Sequence, residues 1–322
     1  DWNSVNGALV KLRIQGDYDY GSQKYTYTNT LLSIAMGPGS TPTLQETPLP
    51  SAEGGSYLGV VVDEIDPSLF YLNHRKLVGT KQINDHNFNL YKYFAQPYRY
   101  ANGALLPETP INIPGRLMRT YLDVGSSTRM MLTSDYAYEL REDMKETEWT
   151  KYYSSYYFYH HYERLHLLRQ VPNSALAELR GSETFKNWDV GDLLLLDNKL
   201  IMSGRYSYQY YEDQGIPYEY QNTQLRLFDL SGQKLGTPFT SELGAPYIQL
   251  MGGHANRLLI RISNEGVLVL DVTDLTKPFG LSFAQSFGYS THTVFTAARA
   301  YVAAGDYGLL EIPLAEPSLA IQ

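Results

Sequence analysis

In 322 residues the chain carries 34 acidic against 26 basic side chains, a net charge of −8, with hydrophobic residues at 43% and charged residues at 19%. Those proportions are globular rather than disordered, no apolar run reaches the ~20 residues of a membrane-spanning helix, and no basic stripe offsets the acidity, which excludes a general nucleic-acid binder. Cysteine is absent, which excludes disulfides, thiolate metal sites and cysteine nucleophiles.

Tyrosine, by contrast, occurs 29 times. Together with many Gly, Ser, Thr and Asn residues it suits exposed β-surfaces of exported proteins. There is no Asn-x-Ser/Thr sequon, which disfavours a eukaryotic glycoprotein. The chain begins at Asp1 with neither methionine nor signal peptide, so it reads as a processed product or part of a longer polypeptide.

Taken in chain order, short apolar runs between turn residues predict strands throughout. Ala8–Ile14, Thr30–Ala35 and Thr41–Glu46 read as the second, third and fourth strands of a first unit. Residues 57–115 hold a second unit, with Gly59–Asp63 as its first strand and Leu90–Ala95 as its third. Leu117–Val124, Arg129–Tyr138, Glu163–Gln170 and Ser174–Leu179 read as the four strands of a third. The Pro-rich stretches 38–50 and 107–114 read as connections between strands.

The C-terminal third repeats itself. Gly266-Val267-Leu268-Val269-Leu270-Asp271-Val272 aligns with Gly308-Leu309-Leu310-Glu311-Ile312-Pro313-Leu314, an offset of 42 residues, and the same step back lands on Gln224-Leu225-Arg226-Leu227-Phe228-Asp229-Leu230. Each copy follows an apolar strand: Lys199–Met202, Arg257–Ile260 and Ala300–Ala303. Weaker strands follow at Lys234–Gly236 and Phe279–Phe283. A unit of four short strands in ~42 residues is the size of one propeller blade. The expected fold is therefore an all-β propeller of about six to seven four-stranded blades with incomplete first and last blades, at 7–50, 57–115, 117–180, 190–240, 245–285 and 287–316; a β-sandwich or β-helix is the alternative.

Gly266 to Pro278, with its Asp-Val-Thr-Asp core, and Arg299 to Leu310 resemble the LVIVD-type repeat of bacterial and archaeal surface propellers. The resemblance covers roughly 245–314, with Leu275 and Pro313 departing from the usual Pro and Asp. It implies a propeller in an extracellular, cell-surface or periplasmic setting and carries no catalytic residues.

Three connections between second and third strands are long and rich in tyrosine: 17–28, 151–162 and 205–220, which hold 16 of the 29 tyrosines. In a propeller these connections leave from one face. Tyrosine gives large contact area and a polar tip at low entropic cost, so Tyr18, Tyr20, Tyr156, Tyr157, Tyr159, Tyr208, Tyr210, Tyr211 and Tyr218 are the candidate binding residues; extended hairpins packed on their neighbours are the competing account. His254 and His292, near the starts of successive blades, are candidates for lining a central channel, where LVIVD-type repeats often carry a histidine; hydrogen bonding between blades competes with that role. His160, His161 and His166 match no zinc spacing. Asp17 and Asp19 form a fragment of a calcium loop lacking its third acidic position and distal Glu, and Glu212 and Asp213 add carboxylates on a neighbouring connection. No cofactor is expected, calcium being the one ion this loop chemistry admits.

No nucleophile elbow, phosphate loop or dinucleotide fingerprint is present. The expectation is a non-enzymatic binding or assembly module with a protein or glycan partner and no membrane span. Alternatives are a polysaccharide-acting enzyme with carboxylates at the channel mouth, and a structural segment of a larger secreted protein or assembly.

Overall fold

The computed structural model describes residues 2–36, 41–50, 55–83, 86–123, 125–140, 159–172, 174–186, 188–206, 223–231, 233–235, 237–242, 247–262, 265–285, 292–305 and 308–314. Among them there is no α-helix, and hence no helix long and apolar enough to cross a membrane. The fold is all-β, built from antiparallel sheets whose strand order follows the sequence.

Sheet 1 holds β1 (Asn3–Val5), β2 (Ala8–Asp19), β3 (Lys24–Ala35) and β4 (Leu44–Pro48). Sheet 2 holds β5 (Ser56–Val62), β6 (Leu69–Ile83), β7 (His86–Ala101) and β8 (Ala104–Pro107), with β9 (Ile111–Ile113) also pairing on β7. Sheet 3 holds β10 (Arg116–Asp123), β11 (Thr128–Leu140), β12 (Tyr159–Gln170) and β13 (Ala177–Lys186). Sheet 4 holds β14 (Trp188–Leu196), β15 (Lys199–Tyr206), β16 (Gln224–Asp229) and β17 (Phe239–Glu242). Sheet 5 holds β18 (Ile248–His254), β19 (Arg257–Ile262), β20 (Gly266–Asp271) and β21 (Phe279–Gln285). Sheet 6 has three strands, β22 (Thr293–Phe295), β23 (Arg299–Ala303) and β24 (Leu309–Pro313).

The chain divides into two compact units, residues 1–142 with 164–182 and residues 143–163 with 183–322. Within each unit the sheets stack face to face in chain order, which is why their middle strands are apolar on both sides. On β6, Phe70 and Leu72 enter the core shared with sheet 1, while Leu69 and Tyr71 enter the core shared with sheet 3. On β19, Leu258 and Ile260 face sheet 4 and Leu259 faces sheet 6. Each such side chain, fully buried, contributes ~1.5–3 kcal/mol.

The first strands lie against one another, β1 on β5 and β5 on β10 in the first unit, β14 on β18 and β18 on β22 in the second. Those of sheets 2 to 5 also break register at one comparable place, between Tyr57 and Gly59, Leu117 and Arg119, Val190 and Leu193, and Leu250 and Gly252. The recurring Gly and Asp of the C-terminal repeat have local causes. Gly266 has φ +153° and a Cβ there would lie 2.2 Å from the Ala284 carbonyl oxygen, so no side chain fits. The Asp turns the chain out of the third strand, Asp229 accepting the Ser231 N–H at 2.9 Å and Asp271 that of Thr273 at 2.7 Å.

Several sequence expectations are corrected. The first sheet is not incomplete: β1 precedes Ala8, folded back by an Asn6-Gly7 turn with φ of 43° and 75°, a geometry that Asn-Gly adopts readily. Three residues are too short to show alternation. The fourth strand of sheet 4 is at Phe239–Glu242, not Lys234–Gly236, and that of sheet 3 starts at Ala177 and runs to Lys186. Only the last sheet has three strands among the described residues.

Candidate functional site

The first tyrosine-rich segment is not a loop. β2 and β3 stay in register from Ala8 opposite Ala35 to Asp19 opposite Lys24, and β1 and β4 cover only their base. The rest is a two-stranded ribbon. At its tip Asp19 caps the turn, accepting the Gly21 N–H at 2.9 Å and the Ser22 hydroxyl at 2.7 Å. Those bonds, the hydroxyl first, hold the Asp19 carboxyl below the usual range.

Tyr18 lies opposite Tyr25 and Gly16 opposite Tyr27, on one face by period-2 alternation, and Tyr20 follows at the start of the turn. Tyr18 meets Tyr20 edge-on at 5.0 Å and Tyr25 at 4.7 Å, and Tyr25 stacks on Tyr27 at 6.1 Å. The Tyr27 ring also covers Gly16, where a Cβ would lie 3.0 Å from its edge. The ladder remains open to solvent, with Tyr20 86%, Tyr25 64% and Tyr27 62% exposed. Asp17 lies with Asp19 on the other face, and among the described residues no three His, Asp or Glu side chains group as a metal site.

The remaining candidates fall elsewhere. Tyr156, Tyr157, Tyr208, Tyr210, Tyr211, Tyr218, Glu212 and Asp213 lie outside the described residues, and Tyr159 is placed by its backbone alone at the start of β12. His254 ends β18, exposed beside a tight turn with Ala255 at φ 51°. His292 is exposed just before β22, its carbonyl accepting the Ala303 N–H at 3.0 Å.

Sequence reading did not register the second ribbon, β6–β7, paired from Leu69–Arg99 out to Ile83–His86. A break in register between Leu77 and Gly79 interrupts the alternation of β6. The Arg75 guanidinium covers the Tyr91 ring at 4.1 Å.

Sheet 3 carries a hydrogen-bonded chain across three strands. His166 Nε2 lies 3.1 Å from Asp135 Oδ1, and Nδ1 lies 2.7 Å from the Ser182 hydroxyl. Arg164 forks the same Asp135 through both carboxylate oxygens. Burial works against the Asp135 charge, but the bonds from His166 and Arg164 outweigh it and keep the carboxyl below its usual range. An ionised carboxylate only accepts, so Nε2 donates to Asp135, and in the neutral imidazole Nδ1 accepts from Ser182. The connectivity is that of a nucleophile, base and carboxylate. Here, however, Arg164 already pairs the same carboxylate. The chain of bonds fastens β11, β12 and β13 together.

A second polar network surrounds a cleft of about 650 Å³ in the first unit. Asp63, at the end of β5, is buried. Its Oδ1 accepts the N–H groups of Ile65 at 2.9 Å and Asp66 at 2.7 Å, which bends the β5–β6 connection. Arg129 of β11 supplies the counter-charge, its Nε 3.2 Å from Oδ2. Asp66 accepts the Ser68 hydroxyl and the Arg99 guanidinium, both at 2.6 Å, and Arg99 reaches Glu108 at 3.2 Å. Ser68 first, then Arg99, pull the Asp66 carboxyl down to about 2. Gln170 accepts the Tyr71 hydroxyl at 3.3 Å, and burial pushes that hydroxyl well above the usual tyrosine range. Pro97 and Ile111 form a buried floor, and Glu108, Leu122 and Pro172 an exposed rim.

No family model and no curated protein matches the chain. Among solved structures, a mutant of the Synechocystis apocarotenoid oxygenase superposes with a TM-score of 0.40 at 8% identity, over 88% of this chain and 67% of that one.

Proposed function

We propose that the chain is an LVIVD-type β-propeller acting as a non-enzymatic binding or assembly module at the cell surface or in the periplasm. In this reading the tyrosine-bearing hairpins between second and third strands contact a protein or glycan. The propeller reading is supported by sheets that stack in chain order, by first strands that lie against one another, and by a register break that recurs in the first strands of sheets 2 to 5.

The observation that carries the binding role is the solvent-facing ladder of Tyr18, Tyr20, Tyr25 and Tyr27. Four rings packed on one another contribute little to any core, yet hold their shape before a partner arrives, which lowers the entropic cost of binding. The test compares fluorescent wild-type protein with a Tyr20→Ser/Tyr25→Ser/Tyr27→Ser variant on a glycan array and on the envelope fraction of the source cells. Retention that the variant loses, with an unchanged melting temperature, supports the role. Equal retention of both proteins, or none of either, overturns it.

A further inference from the structure

We infer that the cleft of the first unit binds a neutral, polyhydroxylated ligand, a saccharide residue. The inference does not involve the tyrosine ribbon and goes beyond the role proposed for it.

The charges around the cleft are already answered. Arg129 is matched by the buried Asp63, and Arg99 by Asp66 and Glu108. An anion or a cation entering the cleft would have to compete with a partner already in place. An apolar molecule would cover guanidinium and amide groups without replacing their bonds to water, which is unfavourable for each polar group so stranded. A sugar hydroxyl both donates and accepts, and the network leaves groups of both kinds unengaged among the described residues. Glu108 uses Oε1 on Arg99, leaving Oε2 to accept. Gln170 uses Oε1 on Tyr71, leaving its amide N–H groups to donate. Arg129 holds Asp63 by a hydrogen bond from Nη2 and by ion pairing, leaving Nη1 to donate.

Shape and rigidity agree with this. The cleft, about 650 Å³, falls within the ~300–1,000 Å³ of small-molecule sites. Leu122, 42% exposed, and the Pro97–Ile111 floor offer apolar surface to the C–H faces of a ring. Asp63 fixes the Arg129 guanidinium from behind, so little side-chain freedom is left to lose on binding.

The test is saturation-transfer NMR on the full chain with glucose, galactose, mannose, N-acetylglucosamine and maltose as probes, and acetate and ethylammonium as charged controls. At least one sugar is expected to receive saturation, with affinity about tenfold weaker in Gln170→Leu and the signal lost in Thr109→Trp, which fills the cleft from its rim. Because Gln170→Leu also strips Tyr71 of its acceptor, Thr109→Trp, which touches no buried pair, decides the matter if the first variant is unstable. The inference is overturned if no sugar responds, if the sugar signal survives Thr109→Trp, or if acetate or ethylammonium displaces it.

Discussion

The β2–β3 ribbon and the cleft of the first unit are both made by strands turning back on themselves, yet they treat polarity in opposite ways. The ribbon holds four aromatic rings in water and lets them shield one another. The cleft sets opposite charges against one another, from the buried Asp63 to the exposed Glu108. All contacts of the ladder fall within ten residues of sequence, Tyr18 to Tyr27. Those of the cleft add, to local bonds such as Arg99–Glu108, pairs 33, 66 and 99 positions apart. The ribbon is therefore expected to be tolerant and locally specified, and the cleft costly to disturb and specified by the whole unit.

The largest expected effect lies in the cleft. Arg129→Leu strands a buried carboxylate and should cost ~3–5 kcal/mol, whereas Asp63→Leu/Arg129→Leu should recover most of it. Urea unfolding of both measures this; a single variant as stable as wild type would mean that the pair carries no weight.

The clamp in sheet 3 comes next. His166→Leu should cost ~1–3 kcal/mol by leaving Asp135 short of a donor, and Ser182→Ala ~0.5–1.5 kcal/mol. Neither protein should react with a fluorophosphonate probe, nor should wild type; labelling of Ser182 would turn the clamp back into a nucleophilic centre.

A smaller effect is expected with acid. The Asp66 carboxyl titrates at about 2 in the folded chain against 3.8 for the free group. It therefore contributes stability above pH 3.8 that is lost as the pH falls toward 2. Asp66→Asn should flatten that limb of the unfolding curve, and an unchanged slope would assign acid sensitivity elsewhere.

The smallest effects belong to the ribbon. Tyr20→Ser, Tyr25→Ser and Tyr27→Ser should each shift stability by no more than ~0.5 kcal/mol. A larger loss in thermal melts would mean that the ladder packs on the body of the protein, and the contrast with the cleft would fall.

The same contrast explains what could be read from the residues. All-β class and the repeat were legible, because apolar runs between turn residues and a 42-residue spacing are local signals. So were the ribbon tyrosines, although Ala8–Ile14 and the segment after it read as a strand and a loop. Gly16 breaks the pattern on paper; in the fold the Tyr27 ring covers it and the strand runs on. β1 was lost to its shortness. The cleft was not legible. No spacing singles out Asp63 or Asp66, and only the fold sets Asp63 against Arg129 and Asp66 against Arg99. Likewise His166 gave no spacing signal, since its partners come from adjacent strands rather than adjacent residues.

The recurring break in register has one further consequence. Among the described residues the first strand of each sheet is an edge in hydrogen-bonding terms, and a long flat edge would serve as a template for fibril growth. β1 and β22 have only three residues each to offer. β5, β10, β14 and β18 are longer, and each is kinked by its extra residue, which interrupts the row of bonding groups a second chain would need. Among the described residues each of the six opening edges is thus either short or interrupted.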